Sequence, residues 1–145
     1  MGVVEILQTA WGWTGLKPAA VVGENDFGNL MIKDTVGRFW RLCPEELSCE
    51  VVASDLTALS LLSIDPDFVE DWRMVGLVAE AEAYQGALTA GRKYCLAVPG
   101  VLGGSYDGDN IKTAPLAEII RISGDLARQI EEMPDGAQVA LGIRE

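Results

Sequence analysis

The sequence predicts an α+β fold, a mainly antiparallel sheet with helices packed over it, in a single domain spanning residues 1–145. Three observations lead there. Within Asn25–Glu46, the apolar runs Leu30-Met31-Ile32 and Phe39-Trp40-Leu42 flank a connection from Asp34 to Gly37 that carries the Asp and Gly of a tight turn, the pattern of a hairpin. Both runs are too apolar for a sheet with one wet face, so both faces call for cover. Stretches with helical spacing elsewhere in the chain supply that cover.

Val3–Trp11 places Val3, Val4, Ile6, Leu7, Ala10 and Trp11 at helical intervals, with Gly12 as its stop. A turn over Trp13–Pro18 leads into a short strand, Ala19–Val22, and then into the hairpin. After Pro44, the alternation of Cys49, Val51 and Ala53 against Ser48, Glu50 and Val52 reads as another strand, with Ser54 suited to cap a helix. Leu56, Leu59, Leu61 and Leu62 make Asp55–Ile64 helical, and Asp65-Pro66 restarts the chain with an N-cap and a first-turn proline. A buried stripe of Phe68, Val69, Trp72, Val75 and Val78 then runs towards Tyr84. Gly86–Gly91 breaks it, Tyr94–Val98 reads as a strand, and Pro99 ends that strand. Gly100–Asn110 is the most loop-like segment, rich in Gly, Asp and Asn. From Pro115 a helix carries Leu116, Ile119, Ile120, Leu126, Ile130 and Met133 to its close at Pro134-Asp135-Gly136, and Val139–Ile143 alternates as a last strand.

The charge balance narrows the function. Eleven basic against 22 acidic residues give a net charge of −11, which repels phosphate and argues against nucleic acid as a direct partner. From Leu42 to Gly91 ten acidic residues face a single basic one, Arg73, so most of the negative charge sits in one stretch. Either that stretch is a solvated face that keeps the protein soluble, or it meets a basic partner. No apolar run approaches a membrane span, and no basic region precedes the apolar residues near the N-terminus, so a cytoplasmic protein without a membrane partner is expected.

Catalytic chemistry finds little purchase. The absence of histidine removes His-based triads, the usual general base and the commonest zinc ligand. Cys43, Cys49 and Cys95 lack the close pair of a zinc ribbon and read as buried reduced thiols; Cys43 is followed only by carboxylates, which raise rather than lower a thiol pKa. Asp107-Gly108-Asp109-Asn110 lacks the following Gly and the distal Glu of a calcium loop. The glycines at 100, 103 and 104 precede no Gly-Lys-Ser/Thr, so they make no phosphate cradle. Trp11, Trp13, Trp40 and Trp72 each sit in an apolar pattern and read as core. No cofactor, metal site or catalytic residue is expected, and a protein that works by binding is favoured over an enzyme.

Several motifs point to a family. Trp11-Gly12-Trp13 with Gly15, Asn25–Asn29 and Gly37–Glu45 resemble the Tdi-like immunity proteins of type VI secretion systems that neutralise DNase effectors. The resemblance continues through Asp65–Phe68, Asp71-Trp72, Pro99–Gly104, Ser123–Asp125 and Pro134–Gly136 and spans nearly the whole chain. It implies a cytoplasmic inhibitor of a cognate toxin, a basic nuclease, and carries no catalytic motif with it. Charge and resemblance together select Asp65, Asp67, Glu70, Asp71, Glu80 and Glu82, with Tyr106, Asp107 and Asp109 of the Gly-rich loop, as the expected partner-binding residues. Tyr106 is the expected desolvated anchor. Two other classes stay open: a small-molecule-sensing or adaptor domain with a pocket beneath the Gly-rich loop, and a metal-dependent hydrolase using carboxylates alone. Oligomeric state is not legible.

Overall fold

The computed structural model describes residues 2–133. A four-stranded antiparallel sheet is built in chain order from β1 (Pro18–Glu24), β2 (Leu30–Asp34), β3 (Phe39–Cys43) and β4 (Ser48–Ala53), so the β2–β3 hairpin is its centre. Helix α1 (Val3–Trp11) precedes it. After it come α2 (Leu56–Leu62), α3 (Pro66–Arg73) and α4 (Val75–Gln85), then a two-stranded antiparallel sheet of β5 (Arg92–Leu96) and β6 (Ile111–Pro115), and finally α5 (Leu116–Glu132).

Both faces of the central sheet are covered, as its apolar strands require. On one face Leu30, Ile32, Trp40, Leu42 and Cys49 pack with Ile6, Leu7 and Trp11 of α1 and Ile120 and Ala127 of α5. There α5 crosses α1 so closely that a side chain at Gly124 would run into the Ala10 carbonyl. On the other face Met31, Phe39 and Ala53 pack with Ala58, Leu59 and Leu62 of α2 and Phe68 and Trp72 of α3. The smaller sheet has its own cluster, Phe27, Ala81, Tyr94, Leu96 and Ile111. Phe27 and Tyr94 rings lie 5.6 Å apart, and the Tyr94 hydroxyl donates to the Gly86 carbonyl at 2.6 Å.

The hairpin turn is held by one side chain. The Asp34 carboxylate is 2% exposed and accepts from Val36 N (3.0 Å), Arg38 N (2.8 Å), Arg38 Nε (2.9 Å) and Trp40 Nε1 (2.9 Å). Burial acts to raise its pKa, but the donors from Trp40, Arg38 and Val36 outweigh burial and hold the pKa at about 2.

The structure departs from the sequence reading in six places. The cap of α2 is Asp55, which accepts from Ala58 N at 2.8 Å, and not the expected Ser54. The alternation of Cys49, Val51 and Ala53 fails at its end: a bulge between the Phe39–Ala53 and Trp40–Val51 pairs turns Ala53 onto the α2–α3 face and leaves Val51 exposed. The stripe from Phe68 to Tyr84 is two helices, because Met74 takes a left-handed φ of 50° that ends α3 and precedes α4. Strand β6 has no counterpart in the sequence reading; its residues Lys112 and Thr113 carry no apolar run, and pairing with β5 defines it instead. The strand expected at Tyr94–Val98 begins two residues earlier and ends at Leu96. Of the thiols, Cys49 is buried while Cys43 and Cys95 are only partly so, and all three are free. The strand expected at Val139–Ile143 and the Pro134-Asp135-Gly136 stop lie outside the described residues.

The Gly100–Asn110 loop is closed by side-chain hydrogen bonds. It holds two short 3₁₀ turns, Gly100–Leu102 and Gly108–Asn110. Asn110 ties its ends together: Oδ1 accepts from Val98 N at 2.9 Å, and Nδ2 donates to the Val98 and Ser105 carbonyls, each at 2.8 Å. Gly104 lies against the Val98 carbonyl with no room for a side chain.

Candidate partner-binding surface

Helix α3 forms where it does for local reasons. Asp65 caps it, accepting from Asp67 N (2.9 Å) and Phe68 N (3.4 Å), Pro66 opens its first turn and Arg73 sits in its last. Its Phe68 and Trp72 rings stack with centroids 6.4 Å apart and face the sheet. Beneath them lies Arg41 of β3, its guanidinium 5.9 Å from the Phe68 centroid and 5.1 Å from that of Trp72.

Arg41 is the hub of a polar network that no single segment contains. Its Nη1 donates to Asp71 Oδ2 of α3 at 2.5 Å, and its Nε and Nη2 donate to Asn29 Oδ1 at 3.1 and 2.9 Å. Asn29, fully buried, donates through Nδ2 to Glu45 Oε1 at 2.8 Å, and the Cys43 thiol donates to Glu45 Oε2 at 3.1 Å. Asn25 joins from the loop before β2, accepting from Phe27 N and Asn29 N and donating to the Trp72 carbonyl at 2.8 Å. The network links α3 to the Pro44–Glu46 turn through β3 and the loop before β2.

Between them opens a groove of about 530 Å³ lined by Arg41, Cys43, Glu45, Glu46, Ser48, Glu50, Val52, Asp71, Met74 and Tyr106. Its floor is the polar phase of two paired strands, Arg41 opposite Glu50 and Cys43 opposite Ser48. Burial, with the charge of Glu45 beside it, raises the Glu46 carboxyl pKa. Burial first, then the Glu45 carboxylate, pushes the Cys43 thiol far up, so it is no nucleophile at neutral pH. Among the described residues no three His, Cys, Asp or Glu side chains converge as metal ligands. A second, apolar crevice between α5 and β5, bounded by Leu96, Pro99, Ile119 and Leu126, measures about 180 Å³. That lies below the ~300–1,000 Å³ usual for small-molecule sites.

The structure distributes the expected contact residues unevenly. Asp71 and Tyr106 line the groove. Asp67 and Glu70 are exposed on α3, and Asp65 is exposed but occupied as its cap. On α4, Glu82 is exposed and Glu80 half-buried. Asp107 and Asp109 are exposed in the Gly-rich loop, where Asp107 accepts from Ser105 Oγ at 2.9 Å. Tyr106, expected as a desolvated anchor, is 42% exposed. Arg41, Glu45, Glu46, Glu50 and Met74 join the site without having been expected there. For Glu50 the signal was present, since Ser48 and Glu50 alternate with Cys49 and Val51 along β4.

Residues 53–127 match the family model of the T6SS immunity protein Tdi1, C-terminal. The chain belongs to this family. Every residue expected to contact a partner lies inside the matched span, whereas Arg41, Glu45, Glu46 and Glu50 precede it. In this member of the Tdi1 C-terminal family, the groove therefore joins strands from before the matched span to α3 and the Gly-rich loop from within it. No curated protein matches the chain. No helix among the described residues is long and apolar enough to cross a membrane.

Proposed function

We propose that this chain is a non-catalytic, cytoplasmic inhibitor that binds a cognate type VI secretion toxin, a basic DNase effector, through its acidic surface. Family membership supplies the class of protein. The observation that carries the finer reading is the charge distribution: ten acidic residues against one basic between Leu42 and Gly91, which includes all of α3 and two walls of the groove. A DNase must hold phosphate with cationic side chains, and a surface of this sign is steered towards such a cleft and competes with DNA for it.

The contact surface in this reading comprises Asp65, Asp67, Glu70 and Asp71 of the α3 segment, Glu80 and Glu82 of α4, and Tyr106, Asp107 and Asp109 of the loop. Arg41 has a different task. Its fork is committed to Asn29 and Asp71, so it acts as the internal counter-ion that lets Glu45, Glu46, Glu50 and Asp71 stand around one groove.

The test is recovery of the partner. Tagged protein expressed in its native cell while secretion genes are active is expected to retain a basic protein that cleaves DNA alone and is silenced at a near-stoichiometric ratio of this chain. Recovery of a toxin whose activity is not DNA cleavage would remove the DNase assignment. Recovery of no toxin under those conditions would remove the inhibitor reading.

A further inference from the structure

The apolar surface of α2 is not used up by the protein's own core. Helix α2 reads Leu-Thr-Ala-Leu-Ser-Leu-Leu, yet it contains no fully buried residue, and neither does α3. Leu56 is 67% exposed, Leu61 63% and the following Ile64 75%. Where α2 and α3 meet the edge of the sheet, a groove of about 250 Å³ is lined by Val22, Gly23, Met31, Leu59, Ser63, Phe68, Val69 and Trp72. Apart from Ser63 and Gly23 the lining is apolar, and Val22 is 51% exposed on the edge strand β1. Exposed apolar surface of this kind, rimmed by charge, is characteristic of a protein-binding face.

The surrounding charge says what covers it. Asp55, Asp65, Asp67, Glu70 and Asp71 belong to the α2–α3 unit, and Arg73 is its sole basic residue. At this size the groove is smaller than the ~300–1,000 Å³ of small-molecule sites and suits a side chain or two from a larger partner. Two grooves flank the same helix: Asp71 faces the acidic one, and Phe68, Val69 and Trp72 face the apolar one.

We infer that the α2–α3–β1 groove is the docking site for the hydrophobic anchor of the toxin, a branched or aromatic apolar side chain flanked by Lys or Arg in the partner's sequence. The inference rests on the inhibitor reading above and deepens it. The acidic surface governs how fast the partner arrives; the apolar groove governs how long it stays.

The test uses the toxin silenced by the wild-type chain and two variants outside the core: Ser63→Trp, which fills the groove, and Val22→Asp, which charges its edge. Both variants are expected to keep the wild-type far-UV circular dichroism and melting temperature and to dissociate from the toxin about tenfold faster or more, with little change in association rate. Folded variants that dissociate at the wild-type rate would overturn the inference while leaving the inhibitor reading intact. A wild-type chain that dimerises, with both variants monomeric and still binding toxin normally, would assign the face to a second copy and equally overturn it. A wild-type chain that binds no toxin would remove both.

Discussion

At the scale of single residues, two side chains carry more of the structure than their neighbours, and they differ in how far the sequence announces them. Asp34 was legible, because an Asp three residues before a Gly between apolar runs is turn chemistry, and its carboxylate does close the turn. Its linkage to pH has a definite sign. With the folded pKa depressed to about 2 from 3.8, the stabilisation is complete above the unfolded value and is lost as pH falls through that window. Asp34→Asn is expected to lower stability at pH 7 by on the order of 2 kcal/mol and to flatten the acid limb of the pH–stability profile between pH 4 and about 2, as measured by urea unfolding. Arg41 was not legible. Its partners Asn29 and Asp71 stand 12 and 30 residues away, and nothing in local periodicity marks an arginine in an apolar strand as the hub of a network. Arg41→Lys keeps the charge but loses the planar fork and its stacking on Trp72, so a loss of about 1–3 kcal/mol is expected in thermal unfolding, with increased amide exchange in α3. Exchange unchanged in α3 would show that the helix does not depend on that hub.

At the scale of elements, the sequence specified those that bury a continuous pattern and blurred those defined by pairing or by one backbone angle. The β2–β3 hairpin, α1 and α5 all carry strong apolar periodicity and lie where expected. By contrast, β6 exists because Ile111–Pro115 meets Arg92–Leu96, a contact no local window contains. The break between α3 and α4 rests on Met74 in a left-handed conformation, which residue type alone disfavours. The Gly-rich loop illustrates a third case: its glycines marked a loop, but not that Asn110 would bind both ends of it. Gly104→Ala is expected to destabilise the protein by about 2 kcal/mol or more, because the added carbon meets the Val98 backbone rather than a movable side chain. Asn110→Ala is expected to release the loop, raising amide exchange across residues 98–110 with a smaller loss of global stability.

At the scale of the whole molecule, the asymmetry of charge is plain in the sequence, and the structure adds how the chain tolerates it. Glu45 is buried at 4% exposure with Asn29 and Cys43 donating to it, and Asp71 is linked to it through Arg41 and Asn29. Charge alone does not discriminate a partner from a solvated face; the leucines of α2 read as a helical stripe, and only their positions in the fold reveal that the core leaves two of them uncovered. The groove was half legible for the same reason, since its α3 and loop walls lie in the acidic, Gly-rich stretches while its floor comes from strands paired across the sheet.

If acidic side chains on the α3 side of the molecule draw in a basic toxin, the speed of association must depend on those charges and on salt. The quantity to measure is the association rate with the purified toxin, by stopped flow across a range of salt, for wild type and for the exposed α3 substitutions Asp67→Lys and Glu70→Lys. The wild-type rate is expected to fall steeply with salt, and the variants to be about tenfold slower at low salt and to converge with wild type at high salt. Equal rates for wild type and variants at every salt concentration would refute the steering role and reduce the acidic face of α3 to a solvated surface.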